Sequence, residues 1–177
     1  MITEINIRKA THADIDTMIQ IEISAAMLFS TLPSEFLKKL PNDIPNRNQH
    51  FYNAMISSDM SWVICVNGLV VGFICTTYIQ KENTLHIYEF NVAQTFQKKG
   101  LGKQLLNFII NIGRQKGFLR LTLTTFKHVQ WNAPFYASNG FVIMDETLLN
   151  NRLQDILKEE HDLGFPDNSR CAMQLFL

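Results

Sequence analysis

The chain has 177 residues, and its sixteen Lys and Arg are balanced by sixteen Asp and Glu, giving a formal net charge of zero. That length suits a single domain over residues 1–177, able to bury roughly 70% of its unfolded surface. The balanced charge sets up no field favouring nucleic acid or an anionic membrane, so neither is expected as a partner.

Three cysteines, Cys65, Cys75 and Cys171, show neither metal-ligand spacing nor a disulfide-framework pattern. No metal is expected, and reduced core thiols fit a cytoplasmic protein. The opening Met1-Ile2-Thr3-Glu4 lacks a basic region before an apolar run, so no secretory signal is expected.

Along the chain, Ile5 and Ile7 alternate with polar residues as a first strand. Thr11-x-x-Asp14 resembles a capping box with Asp in place of Glu, and the helix after it carries Ile15, Met18, Ile19 and Ile23 on one face. Between Leu32 and Asn48, Pro33, Pro41 and Pro45 divide the chain into short helical pieces and turns. Phe51 to Ser57 forms a further short helix. The run Ser61 to Ile79 is uncharged and largely apolar, yet Asn67-Gly68 inside it, flanked by β-branched residues, predicts a hairpin of Trp62–Val66 and Leu69–Ile79 rather than a spanning helix.

A strand from Leu85 to Val92 leads into Gln97-Lys98-Lys99-Gly100-Leu101-Gly102-Lys103, followed by a strongly amphipathic helix from Leu105 to Lys116 that Gly117 stops. Strands over Leu119–Phe126, Phe141–Glu146 and Cys171–Phe176 alternate with a short helix at Tyr136 and a helix over Leu148–Glu160. This order of elements implies a mixed α/β sheet.

A glycine turn between strand and helix exposes backbone N–H groups at the positive end of the helix dipole, where a phosphate can sit. Lys98, Lys99 and Lys103 at a helix start are electrostatically misplaced unless an anion offsets them. The spacing is not that of a nucleotide P-loop, since Gly102-Lys103 is followed by Gln104 and the first glycine position holds Lys98. Nor is it a Rossmann fingerprint, whose third glycine is replaced by Leu105.

The pattern Gln-x-x-Gly-x-Gly after Phe90-Asn91-Val92 resembles the GNAT superfamily of acyl-CoA-dependent N-acyltransferases. A second landmark, Asn132-Ala133-Pro134-Phe135-Tyr136-Ala137-Ser138-Asn139-Gly140-Phe141, looks like that family's Tyr followed after three residues by Gly-Phe. The resemblance covers nearly the whole chain. It implies a mixed, mostly antiparallel central sheet with splayed central strands flanked by helices. It also implies acetyl-CoA as cosubstrate, its pyrophosphate on Gln97 to Lys103 and its pantetheine arm beside Phe90, Asn91 and Val92. Asn132 and Phe135 join the cofactor contacts by the same resemblance, although Asn132 also reads as a helix N-cap. Many members carry Asn seven residues before the Tyr, where this chain has Val129. The run from Val129 to Tyr136 and the closing Arg170-Cys171-Ala172-Met173 look like a branch whose substrates are mostly unassigned.

Acetyl transfer to an amine requires one proton to leave the nitrogen, whose pKa is about 10.4, and another to reach the departing thiol, of pKa about 8.5. Tyr136 matches the family's general-acid position. Glu89 ranks first as base, with His86, His128 and water as alternatives. His86 and Glu89 have opposite strand parity, so one face holds both only if a bulge intervenes. Trp131 and Phe135 are candidates for the acceptor pocket wall. The expected partner is a small-molecule or peptide amine; a homodimer is left open, as is a non-catalytic CoA-binding or sensor module of the same fold.

Overall fold

The computed structural model describes residues 4–41 and 47–177. The readings made on Met1 to Thr3 and on Pro45 fall outside them.

Strand β1 (Ile5–Lys9) turns through a 3-10 segment into helix α1 (Ile15–Ala26). The turn is pinned by Asp14: its carboxylate accepts from Thr11 N–H and hydroxyl at 2.8 Å, and both oxygens take a 2.8 Å bond from the Arg8 guanidinium. The buried stripe of α1 is Ile15, Met18, Ile21 and Ala25. Ile23, expected on that face, is 41% exposed, because the stripe drifts the opposite way round the helix from the series 15, 19, 23. After a 3-10 turn (Met27–Thr31) come α2 (Ser34–Leu37) and α3 (Gln49–Ser57), the latter capped by Asn48, which accepts from Phe51 N–H at 2.9 Å.

The uncharged run is the predicted hairpin, β2 (Ser61–Val66) and β3 (Leu69–Ile79). Asn67 and Gly68 both take positive φ, 49° and 79°, as a two-residue turn of this hand demands. Next come β4 (Thr84–Val92), α4 (Leu101–Gln115) and β5 (Arg120–Phe126). Helix α4 starts four residues before the predicted Leu105. Leu101 is already part of its buried stripe with Leu105, Leu106, Ile109 and Ile110, so the glycine segment runs into the first helical turn. Gly117, at φ 72°, ends the chain's turn out of that helix.

Helix α5 (Ala133–Ala137) is followed by β6 (Val142–Ile143), which is much shorter than the predicted Phe141–Glu146. Phe141 is drawn into the core, and Asp145 accepts from Thr147 N–H to start a 3-10 turn instead. Helix α6 (Asn151–Asp162) begins at its Asn150 cap, not at Leu148, and β7 (Arg170–Phe176) closes the fold.

The seven strands form one sheet in the order β1-β2-β3-β4-β5-β7-β6. Every neighbouring pair is antiparallel except β4 and β5. On one face, α4 and α5 pack over Ile64, Ile74, Leu85, Ile87, Leu121 and Leu123. On the other, α1 and α3 cover Val63, Cys65, Phe73 and Cys75. No helix among the described residues is long and apolar enough to cross a membrane.

Candidate active site

The parallel ladder between β4 and β5 runs only from Thr84↔Arg120 to Ile87↔Leu123. Both strands continue past it, to Val92 and Phe126, so the sheet's middle opens into a gap. At the same level β4 carries a bulge: Ile87 pairs with Thr76 and Glu89 with Cys75, leaving Tyr88 as the extra residue. Directly paired residues share a face. His86, opposite Thr77, and Glu89, opposite Cys75, are therefore both on the α1/α3 face despite their parity in sequence.

The cradle lies at the other side of the gap. Lys98 and Gly100 both have positive φ, 59° and 78°. A Cβ on Gly100 would meet no atom within 4 Å. The first helical bond is Gln104 N–H to the Gly100 carbonyl at 3.0 Å, and among the described residues no backbone N–H from Lys98 to Lys103 donates to a protein acceptor. Successive free N–H groups at the positive end of a 15-residue helix are an arrangement that can receive an anion. Lys98, Lys99 and Lys103 are all exposed around it. Lys99 Nζ lies 4.9 Å from the centroid of the Phe96 ring.

Gln97 ties the loop to the strand by donating from Nε2 to the Val92 carbonyl at 2.9 Å. The Leu101 side chain is sealed in the core, so only its backbone is available to a ligand. Gly102 sits against the strand end and α5: a Cβ there would lie 3.6 Å from the Phe90 ring and 3.8 Å from Phe135 and Val92.

Tyr136 closes the gap from α5. Its ring packs on Phe135, Phe141 and Phe90 with centroids 5.3, 5.5 and 6.4 Å away. The residue is 7% exposed, yet its hydroxyl has no hydrogen-bond partner among the described residues. Burial raises the pKa of this phenol above its ordinary value; the charge of Glu89 adds to the effect and that of Arg170 opposes it. Asn132 stands at the N-cap position of α5 without capping through its side chain. Its Oδ1 is buried with no partner among the described residues, which is a costly state for an acceptor, on the order of 1–3 kcal/mol.

On the α1/α3 face, both oxygens of Glu89 are engaged. Asn91 Nδ2 donates to Oε1 at 2.7 Å and Arg47 Nε to Oε2 at 3.2 Å. A carboxylate has about four acceptor sites, so each oxygen keeps capacity for a further donor. Glu22 of α1 stands behind this pair, accepting from the Tyr52 hydroxyl at 2.7 Å and from Arg47 N–H at 3.0 Å. Burial, more than any other cause, raises the Glu22 pKa, and the nearby Glu89 adds to it. Sequence reasoning missed Arg47 and Glu22. Their contacts join α1, the stretch before α3 and β4, so no local pattern announces them.

The alternative bases separate clearly. His86 is 1% exposed in the paired part of β4 and β5, with Nδ1 2.9 Å from Thr122 Oγ1. Burial lowers its pKa to about 3, so it is neutral at physiological pH. His128 is exposed beyond the end of β5. Trp131 stacks edge-on against Phe29 at 5.6 Å, and Phe29 in turn meets Phe126 at 5.4 Å, forming an aromatic wall at the end of β5. All three cysteines are free and buried, and burial pushes Cys75 up to about 12.

Residues 26–141 match the acetyltransferase (GNAT) family. Among solved structures, the chain is similar to PaiA N-acetyltransferase from Thermoplasma acidophilum in complex with coenzyme A, with 18% identity, 99% and 100% of the two chains covered and a TM-score of 0.71. It is also similar to the ribosomal-protein-S18-alanine N-acetyltransferase from Escherichia coli, at 16% identity, 98% and 94% coverage and a TM-score of 0.69. N-acetylglutamate synthase from Neisseria gonorrhoeae, complexed with coenzyme A and N-acetyl-glutamate, aligns over 99% of this chain and 35% of its own, at 18% identity and a TM-score of 0.71.

Proposed function

Because the chain belongs to the GNAT acetyltransferase family, and is thus an acyltransferase with acetyl-CoA as cosubstrate, we propose that it moves an acetyl group to a primary amine by direct attack. The observation that carries this reading is the gap between β4 and β5, which separates a phosphate cradle on the α4 side from a carboxylate, Glu89, on the α1/α3 side. Thioester and amine then approach from opposite faces and meet where the strands part.

The residues present fit the cosubstrate. The free N–H groups of Lys98 to Lys103, with Gln97 ordering the loop, would hold the pyrophosphate, and the three lysines would neutralise it. Phe90, Asn91 and Val92 offer an unpaired strand edge to the pantetheine arm, while the orphaned Asn132 Oδ1 awaits a donor and Phe135 adds an apolar wall. When bound, acetyl-CoA supplies the activated acyl group.

Glu89 would take the amine proton, directly or through water. Tyr136, whose hydroxyl has no partner among the described residues and whose burial keeps it protonated, would give one to the sulfur. An acyl-cysteine route is disfavoured, since Cys65, Cys75 and Cys171 are all buried and Cys75 stays a thiol at physiological pH. Free cysteines throughout also support a reducing cytoplasm as the working compartment.

The test is thiol release when purified protein, acetyl-CoA and a panel of amines are mixed. Release that depends on both substrates supports the enzyme. Tight acetyl-CoA binding without release on any amine supports the rival reading, a CoA-binding or sensor module.

A further inference from the structure

Arg47 is held on three sides. Its backbone N–H donates to Glu22 of α1 at 3.0 Å, its Nε donates to Glu89 of β4 at 3.2 Å, and its guanidinium carbon lies 4.7 Å from the centroid of the Phe51 ring of α3. A guanidinium carries five N–H donors in a rigid fork. Here one is used. The four on Nη1 and Nη2 have no acceptor among the described residues, and the side chain is 46% exposed. The result is an oriented fork, open among the described residues, in direct contact with the carboxylate assigned as base.

From this contact we infer that Arg47 selects an acceptor carrying a carboxylate beside its amine, that is, a free amino acid. The inference rests on the direct-attack reading given above. An open Nη1/Nη2 edge matches a carboxylate through two parallel charge-assisted bonds. With Arg47 Nε only 3.2 Å from Glu89, an amine at Glu89 and an anion on the fork must lie within a few bonds of each other in the acceptor. An α-amino acid meets that condition, with one carbon between nitrogen and carboxylate. A peptide N-terminus or an amino-acid amide offers no anion there, and the second cation of a diamine is repelled by Arg47. In the reaction the N–C bond forms as the C–S bond breaks. The amine proton leaves to Glu89 and the sulfur gains one from Tyr136, giving an N-acetyl amino acid and the free thiol of CoA.

The test measures kcat/KM by thiol release for the standard amino acids, the same amino acids as amides, and linear diamines, in the parent, Arg47→Met and Arg47→Lys. The parent should prefer a free amino acid over its amide by about 10- to 100-fold, the worth of a charge-assisted pair. That ratio should collapse toward unity in Arg47→Met, mainly through KM, while Arg47→Lys, which keeps charge but not the fork, should retain part of it. Thermal melting and acetyl-CoA binding confirm that each variant is folded. A parent that turns over amides or diamines as well as free amino acids, or a ratio unmoved in Arg47→Met, overturns the inference and leaves acetyl transfer standing. Absence of thiol release with every amine overturns both.

Discussion

Ile87 and Leu123 are the last backbone partners between β4 and β5, although both strands run on beyond them. Past that pair, two adjacent strands face each other without a ladder in the middle of an otherwise continuous sheet. Unpaired backbone edges inside a fold require other partners. The bulge at Tyr88 falls at the same level, so one local break both opens the gap and turns Glu89 onto the face away from the cradle.

The cradle yields the first prediction. Gly100, at φ 78°, holds a left-handed conformation that a β-branched residue adopts only under strain, about 1–2 kcal/mol, and its open side is where a phosphate would approach. Gly100→Val should therefore weaken acetyl-CoA binding by at least about tenfold, or 1.4 kcal/mol. Calorimetric titration at low and high salt should also show parental affinity falling with ionic strength, and a Lys98, Lys99 and Lys103 to Gln triple variant losing most of that dependence. A folded Gly100→Val protein with parental affinity would remove the cradle from the site.

Much of the candidate site's layout was legible because its two motifs are local. Gly100 and Gly102 must lie next to a helix start, and Tyr136 must sit on the turn before Gly140-Phe141, whatever the rest of the chain does. Contacts between distant segments were not legible. Nothing near Arg47 or Glu22 in sequence points to Glu89, which they reach through the packing of α1 and α3 against the sheet. The parity rule set His86 and Glu89 on opposite faces because a bulge has no composition signature in a strand such as Thr84–Val92. The overlong β6 has a similar cause: its apolar pattern continued to Met144, but the ladder with β7 holds only Val142 and Ile143, with Met144 N–H adding one bond to the Ala172 carbonyl at 2.9 Å before the chain turns away.

Glu89→Gln should retain acetyl-CoA binding and lose turnover, most severely at low pH. With the carboxylate present, proton removal is assisted as soon as the group is ionised. Without it, the rate must follow spontaneous loss of the ammonium proton, which rises with pH. The parent-to-variant ratio of kcat/KM should accordingly shrink from acid toward alkaline conditions. A parent-like pH profile would transfer the role to His128 or solvent.

His86 makes a stability prediction independent of catalysis. Its folded pKa, about 3, is below the ordinary value of 6.5, so between these limits the unfolded chain binds a proton that the folded one refuses. Stability then falls as pH drops below 6.5, by about 2 kcal/mol between pH 7 and pH 5. Urea unfolding at the two pH values should show this loss in the parent. His86→Gln, which keeps polar contact with Thr122 but cannot charge, should be less stable at pH 7 and lack that part of the slope. An identical slope in parent and variant would mean that His86 charges freely in the folded state.

Tyr136 is the most exacting test of the mechanism. Three aromatic neighbours hold its ring, so Tyr136→Phe removes one oxygen and should leave the fold and acetyl-CoA affinity intact. That oxygen makes no hydrogen bond among the described residues, hence its loss breaks no contact there; the variant should melt within about 1 °C of the parent, as expected when a hydroxyl that leaves no protein group unpaired is deleted. Turnover should respond quite differently. If the hydroxyl protonates the departing sulfur, kcat falls by about 10²–10⁴-fold, the usual worth of general acid catalysis. An acetyl donor with a more acidic thiol should recover much of the loss, because a less basic thiolate departs without help. Rates of variant and parent with both donors, compared by thiol release, isolate the proton from the packing. A Tyr136→Phe enzyme within about twofold of the parent is too fast to have lost its acid, and in that case Tyr136 is a core residue of α5 and the proton reaches sulfur from water.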